Sequence, residues 1–120
     1  MDLALTSIQI IIALGILNVW FVRFERRSGW RGGEAKNMRE EFEVYGLPPW
    51  FMFAVGAAKV ALAALLIAGL WFPMLTKAAA IGLAMLMGGA VAMHLKVKDP
   101  IKKSVPAMAI LVLCTVVAVL

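Results

Sequence analysis

Residues 50–72 read WFMFAVGAAKVALAALLIAGLWF and carry one charge, Lys59. A run of about 20 apolar residues crosses the ~30 Å hydrocarbon core of a bilayer as an α-helix. Trp50 and the pair Trp71–Phe72 bracket the run, as aromatics do at both membrane interfaces. Lys59 stands nine residues beyond Trp50, which is about 13 Å along a helix rising 1.5 Å per residue. A lysine at that depth is costly and marks a functional site by default. The remainder of the chain has to surround this helix and supply what Lys59 meets.

Composition extends the same reading outward. The chain has 120 residues, 63% of them hydrophobic, against about half in soluble domains. An integral membrane protein follows: one transmembrane domain over residues 1–120, with room for four spans and for no separate soluble domain. The net charge of +5 lies in the connecting segments, which fits juxtamembrane anchoring and argues against a nucleic-acid partner. Cys114 is the single cysteine, so no intramolecular disulfide or CxxC redox pair can form. The first apolar run lacks a basic leader and a small-residue cleavage site, so a retained span is expected there.

The four spans are expected at about 3–22, 50–72, 76–95 and 104–120. In the first, Thr6 and Ser7 can bond back to helix carbonyls, whereas Gln9 and Asn18 should face other helices. Residues 23–49 form the long polar connection. Its first part, RFERRSGWRGG, is basic and expected to be irregular. In its second part, Met38, Phe42 and Tyr45 recur at i, i+4, i+7 and predict a short amphipathic helix lying in the membrane interface. Gly46 should stop it, and Pro48–Pro49 bar its continuation. In the second span Ala54, Ala57, Ala58, Ala61, Ala64 and Ala68 form a seam for close helix approach, with Lys59, Gly56 and Ala63 on roughly the opposite side. In the third span Ala80, Ala84, Gly88 and Ala92 form another such ridge, expected to be buried. Pro106 suits the first turn of the fourth span. The expected fold class is therefore all-α: a four-helix transmembrane bundle with an interfacial amphipathic helix between spans one and two.

The basic residues set an expected orientation. Arg23, Arg26, Arg27, Arg31, Lys36 and Arg39 lie in the first connection, and Lys96, Lys98, Lys102 and Lys103 in the third; Lys77 is alone in the second. The positive-inside rule places the first and third connections in the cytoplasm and both termini outside.

Asn18, Lys59 and His94 then converge on the cytoplasmic half, beneath the glutamates of the amphipathic helix. An apolar pocket with a few polar groups is the usual form of a ligand site, and Met52, Met85, Met87 and Met93 suit lipophilic ligands. Lys59, Asn18, His94, Glu43 and Gly56 are the ligand-site candidates. Each has a structural reading beside the functional one. Lys59 can snorkel to the headgroups or pair with Glu43, His94 can cap helix carbonyls, and Asn18 can clamp two helices. One histidine without clustered Cys or Asp is no metal-ligand set, and no Ser-His-Asp arrangement or phosphate loop is present. No catalytic residue, metal or cofactor is expected.

Three stretches together resemble a known family: EEFEVYGLPPWFMFAVGAAKV, LLIAGLWFP and GLAMLMGGAVAMHLKVKDP. Phe42, Tyr45, Gly46, Leu47 and Pro48 match an F-x-x-Y-G-L-P pattern; Gly56 and Lys59 match G-x-x-[EK]; Gly89, Ala90 and His94 match G-A-x-x-x-H. The chain is similar, over about residues 40–105, to the DoxX-like family of small four-helix bacterial membrane proteins. Lys59 stands where an acidic residue is common in that family. The resemblance implies a bacterial inner-membrane protein of the accessory or chaperone-like kind, in a family named for a relative associated with thiosulfate:quinone oxidoreductase. The expected function is noncatalytic, an accessory or assembly subunit with a lipophilic pocket for quinone or lipid, and with a protein partner or a second copy. A quinone-linked oxidoreductase component is the alternative. A small dimeric transporter is a third, disfavoured because the first span has no acid after Asp2.

Overall fold

The apolar runs become four long helices whose lengths match a bilayer and whose order follows the chain. The computed structural model describes residues 3–26 and 31–120. Helix α1 runs Leu3–Leu17 and continues into one π-helical turn, Asn18–Val22; α2 is Met38–Val44, α3 Pro49–Ala68, α4 Met74–Lys96 and α5 Ile101–Val119. Each long element is apolar and long enough to cross a membrane. They pack in a ring, with α1 against α3 and α5, and α4 against α3 and α5. The described molecule is 42 Å along its longest axis, room for a ~30 Å hydrocarbon layer and an extension at one end. Arg27 and residues 28–30 of the connection expected to be irregular lie outside the described residues.

Two apolar cores hold the ring. The larger joins Ile12, Ala13 and Ile16 of α1, Ala63 and Leu66 of α3, Ala79, Ala80 and Leu83 of α4, and Cys114 and Val117 of α5. It fills the half of the bundle nearer the α3–α4 turn. Gln9 is fully buried there and donates through Nε2 to the Leu66 carbonyl at 3.2 Å and to Thr76 Oγ1 at 3.4 Å. It thereby ties α1 to the turn, as an amide inside a membrane bundle should. The smaller core joins Met38 and Phe42 of α2 to Met52 of α3, with Trp20, Phe24, Leu47, Phe51 and Val55 packed on it. Lys59 lies between the two.

Several expectations change in the folded protein. Span two stops as a helix at Ala68, and residues 69–72 turn back, with Thr76 Oγ1 donating to the Gly69 carbonyl at 3.2 Å. Helix α5 starts at Ile101, directly after Pro100, so Pro106 lies inside it and not in its first turn. Of the α4 ridge, Ala80 is buried, but Ala92 is exposed and a Cβ placed on Gly88 would meet nothing within 4 Å. The ridge is covered only where the larger core reaches it. On α3 the alanine seam faces mostly outward, while Met52, Gly56, Ala63 and Leu66 are buried. The side shared by Gly56, Lys59 and Ala63 is the one that meets the bundle.

The short helix α2 is built by local signals. Asn37 Oδ1 accepts from the Glu40 backbone N–H at 2.9 Å, and Glu40 Oε1 accepts in return from the Lys36 N–H at 3.2 Å, a reciprocal N-terminal cap. Gly46, at φ +78°, ends it in the left-handed region where glycine is favoured. Pro48 and Pro49 then open α3, with Pro49 in its first turn, where a missing N–H costs little. Met38 and Phe42 are buried, so the stripe read from the sequence faces the bundle.

Candidate functional site

Lys59 is the eleventh residue of α3, about 15 Å along it and near its middle. Its close partner in the described structure is an aromatic face: Nζ lies 5.7 Å from the centroid of the Trp20 ring, at the outer reach of a cation–π contact. Trp20 is placed there by the π turn. That turn closes through an i+5 bond, with the Arg23 N–H donating to the Asn18 carbonyl at 2.9 Å. Such a turn holds one more residue than an α-helical turn and is frequent at functional sites. Within it Asn18 is exposed, while Trp20 is half-buried against α3 and α2. The ring lies on bare backbone, because a Cβ on Gly56 would stand 2.5 Å from Trp20 Cζ3. Phe24 and Phe42 pack on the same indole, with centroids at 5.9 and 6.2 Å.

Next to this pair, at the end of the bundle that carries α2, stands a buried polar clasp. Arg31 and Glu41 form an ion pair at 3.1 Å, with side chains 6% and 12% exposed. Arg31 also donates to the carbonyls of Arg23, Phe24 and Arg26, fastening the chain beyond the π turn. Glu41 Oε2 accepts from the Tyr45 hydroxyl at 2.7 Å and from the Gly32 N–H at 2.9 Å. The Tyr45 oxygen is 3.4 Å from His94 Nε2, and His94 Nδ1 is 2.8 Å from Asp99 Oδ2. Asp99 accepts in turn from the Gly33 N–H at 3.0 Å, and Lys103 Nζ donates to the Gly33 carbonyl. Lys96 Nζ donates to the Tyr45 carbonyl at 2.8 Å. One chain of bonds thus runs from Arg31 through Glu41, Tyr45, His94 and Asp99 back to Gly33.

The proton inventory follows from the bonds. The Tyr45 hydroxyl donates to Glu41, so its oxygen turns a lone pair toward His94 Nε2. Nδ1 facing a carboxylate has to donate. The imidazole thus stands between the Tyr45 oxygen and the Asp99 carboxylate, with the Arg31–Glu41 ion pair at the other end of the clasp. Burial first, then the charge and hydrogen bond of Glu41 and the charge of Asp99, push the Tyr45 phenol above its ordinary range; Arg31 pulls weakly the other way. Tyr45 is the single tyrosine of the chain, so its ionisation can be read from tyrosinate absorbance alone. The folded protein should show no tyrosinate at a pH where the denatured chain, titrating near ~10, is ionised. A phenol raised on folding leaves stability level below about pH 10 and removes it above that pH. Tyrosinate rising equally in folded and denatured protein would contradict the clasp.

The sequence candidates are therefore divided. Lys59 and Gly56 stand together, joined by Trp20. His94 belongs to the clasp and is 5% exposed. Asn18, the first residue of the π turn, is exposed, so it does not face another helix of this chain as expected. Glu43 is exposed, on an open groove with Glu34, Arg39 and Glu40, away from Lys59. Sequence reading missed Trp20, Arg31, Glu41 and Asp99 as site residues. The i, i+4 pair Glu41–Tyr45 was visible in the chain and is the one signal that could have found part of the clasp. Among the described residues no group of three His, Cys, Asp or Glu could hold a metal.

Comparison with known proteins gives a family. A sequence model of the DoxX-like family matches residues 16–119, which includes both the Lys59–Trp20 pair and the whole clasp. No curated protein and no solved structure matches the chain.

Proposed function

We propose a function from one premise: the chain belongs to the DoxX-like family and is a membrane protein with four apolar helices. It is a noncatalytic accessory subunit that holds a lipophilic molecule, quinone or lipid, at Lys59. The observation that carries this reading is the state of the Lys59 ammonium. A lysine at a helix centre costs about 2.5–3.5 kcal/mol to insert. A cation–π contact returns about 0.5–2 kcal/mol, and at 5.7 Å it belongs at the low end. Three N–H donors remain without an oxygen acceptor among the described residues, in a place where water is scarce. An amphiphile with an acceptor head and an apolar body would complete it. The clasp beside the site lacks an attacking group free of its own bonds, which favours binding over chemistry.

Native mass spectrometry on protein extracted from bacterial membranes tests the reading. The wild type should carry a lipophile adduct that is depleted in Lys59→Met. Wild-type spectra free of adduct, or equal adducts in both proteins, would reject it.

The clasp end carries nearly all the positive charge of the connections, so we place it in the cytoplasm, with α2 at the membrane surface and both termini outside. A cysteine introduced at Lys98 should resist a membrane-impermeant thiol reagent in intact cells. Labelling from outside would reverse the orientation.

A further inference from the structure

We propose that the ligand of Lys59 carries an anionic oxygen head, a carboxylate or phosphate on an apolar tail, and that this head takes the place now covered by the Trp20 ring. The proposal rests on the reading of Lys59 as a ligand site and names the class of molecule it takes.

The first ground is charge. Lys59 is the one charged residue within α3, and the adjoining clasp holds the acid Glu41 in an ion pair with Arg31. Three bonds already hold Glu41 in the clasp. Its Oε1 is held by Arg31, and its Oε2 by the Tyr45 hydroxyl and the Gly32 N–H. Arg31, its ion-pair partner, is itself buried. Among the described residues no acid pairs with the Lys59 ammonium, and Glu41 is engaged in the clasp. In a low-dielectric setting, an ammonium binds an anionic oxygen far more strongly than a neutral carbonyl.

The second ground is the cover. Trp20 is held over Lys59 by apolar and aromatic contacts: Phe24, Phe42, the bare backbone at Gly56, and the edges of both cores. No hydrogen bond from its indole N–H occurs within the described structure. It also sits in a π turn, which can relax to an α-helical turn by shifting one hydrogen-bond register. The ring can therefore leave without breaking a polar contact. A charged head arriving at Lys59 would exchange a long cation–π contact for an ion pair.

Four tryptophans are present, so Trp30→Phe, Trp50→Phe and Trp71→Phe together leave Trp20 as the reporter. This full-length protein in phosphatidylcholine vesicles would be titrated with oleate, phosphatidylglycerol, oleyl alcohol and decyl-benzoquinone. Oleate, phosphatidylglycerol or both should shift Trp20 emission saturably, and which of them does so identifies a free fatty acid or a membrane phospholipid as the source. Lys59→Met should weaken that response about tenfold or more, and Lys59→Arg should retain it. A companion protein keeping only Trp71 should not respond. Circular dichroism checks folding, and Lys59→Gln serves if the Met variant does not fold. Oleyl alcohol or decyl-benzoquinone acting as strongly as the anions, with loss in Lys59→Met, would overturn the anionic class and leave the Lys59 site standing. An anion response unchanged in Lys59→Met, or silence with all four probes, would overturn both.

Discussion

Glu41→Ala should destabilise the protein by about 3–5 kcal/mol, the usual cost of breaking a buried ion pair by removing one partner. The expected size follows from how many groups Glu41 serves. Its removal leaves the Arg31 guanidinium, 5% exposed as a residue, without its counter-charge, and the Tyr45 hydroxyl and Gly32 N–H without their acceptor. Glu43, two residues on, is exposed, and Glu43→Ala should change stability by no more than about 0.5 kcal/mol. Thermal unfolding of both variants in one detergent makes the comparison. Equal midpoints would mean that the clasp is a surface feature with no hold on the fold.

Gly56→Leu should be nearly as severe, through sterics. A Cβ there falls 2.5 Å from the Trp20 ring, so the indole has to move and the π turn with it. Overpacking of this kind costs about 1–3 kcal/mol, and the ring should also lose its place over Lys59. Gly88→Leu adds the same side chain where a Cβ meets nothing within 4 Å, and it should stay within about 0.5 kcal/mol of the wild type. The spacing Ala80, Ala84, Gly88, Ala92 alone would have ranked Gly88 as the sensitive glycine. Thermal midpoints of the two variants decide, with Trp20 emission as the second readout. A Gly88→Leu protein less stable than Gly56→Leu would reverse the helix faces.

The four long helices were legible because apolar length is a one-dimensional property, and residues 50–72 carry it in one unbroken run. Helix α2 was legible because Met38, Phe42 and Tyr45 recur with helical spacing. Which face of α3 turns inward was not decided by its small residues, since Gly56 and Ala63 on one side and the alanine seam on the other both permit close packing; the core settles it. The clasp was hidden for another reason. Tyr45 was counted as part of an apolar stripe, and its hydroxyl shows its use only when Glu41 and His94 come into reach. Arg31 looked like one more orienting charge among six. Asp99 lay in a loop read for its proline. Their bonds span 49 positions between Tyr45 and His94 and 66 between Gly33 and Asp99, distances over which no local pattern exists. Trp20 was unreadable because a π turn breaks the 100° periodicity used to place side chains on faces.

The same long separations order events in time. A chain is made from its N-terminus, and each part waits for the partners that follow it. Arg31, Glu41 and Tyr45 emerge together and can pair at once. His94, Asp99 and Lys103 arrive only after two further helices have been synthesised. Through that interval the Tyr45 oxygen and the Gly33 N–H have no protein partner from the later loop, and α2 is held by its own cap and its apolar stripe. Closure therefore reports that α4 has been inserted with its His94 end beside α2. A nascent chain with α4 inverted or missing would leave the Tyr45 oxygen and the Gly33 N–H open at the bundle's end, a difference from the finished protein on which proteolytic surveillance can act.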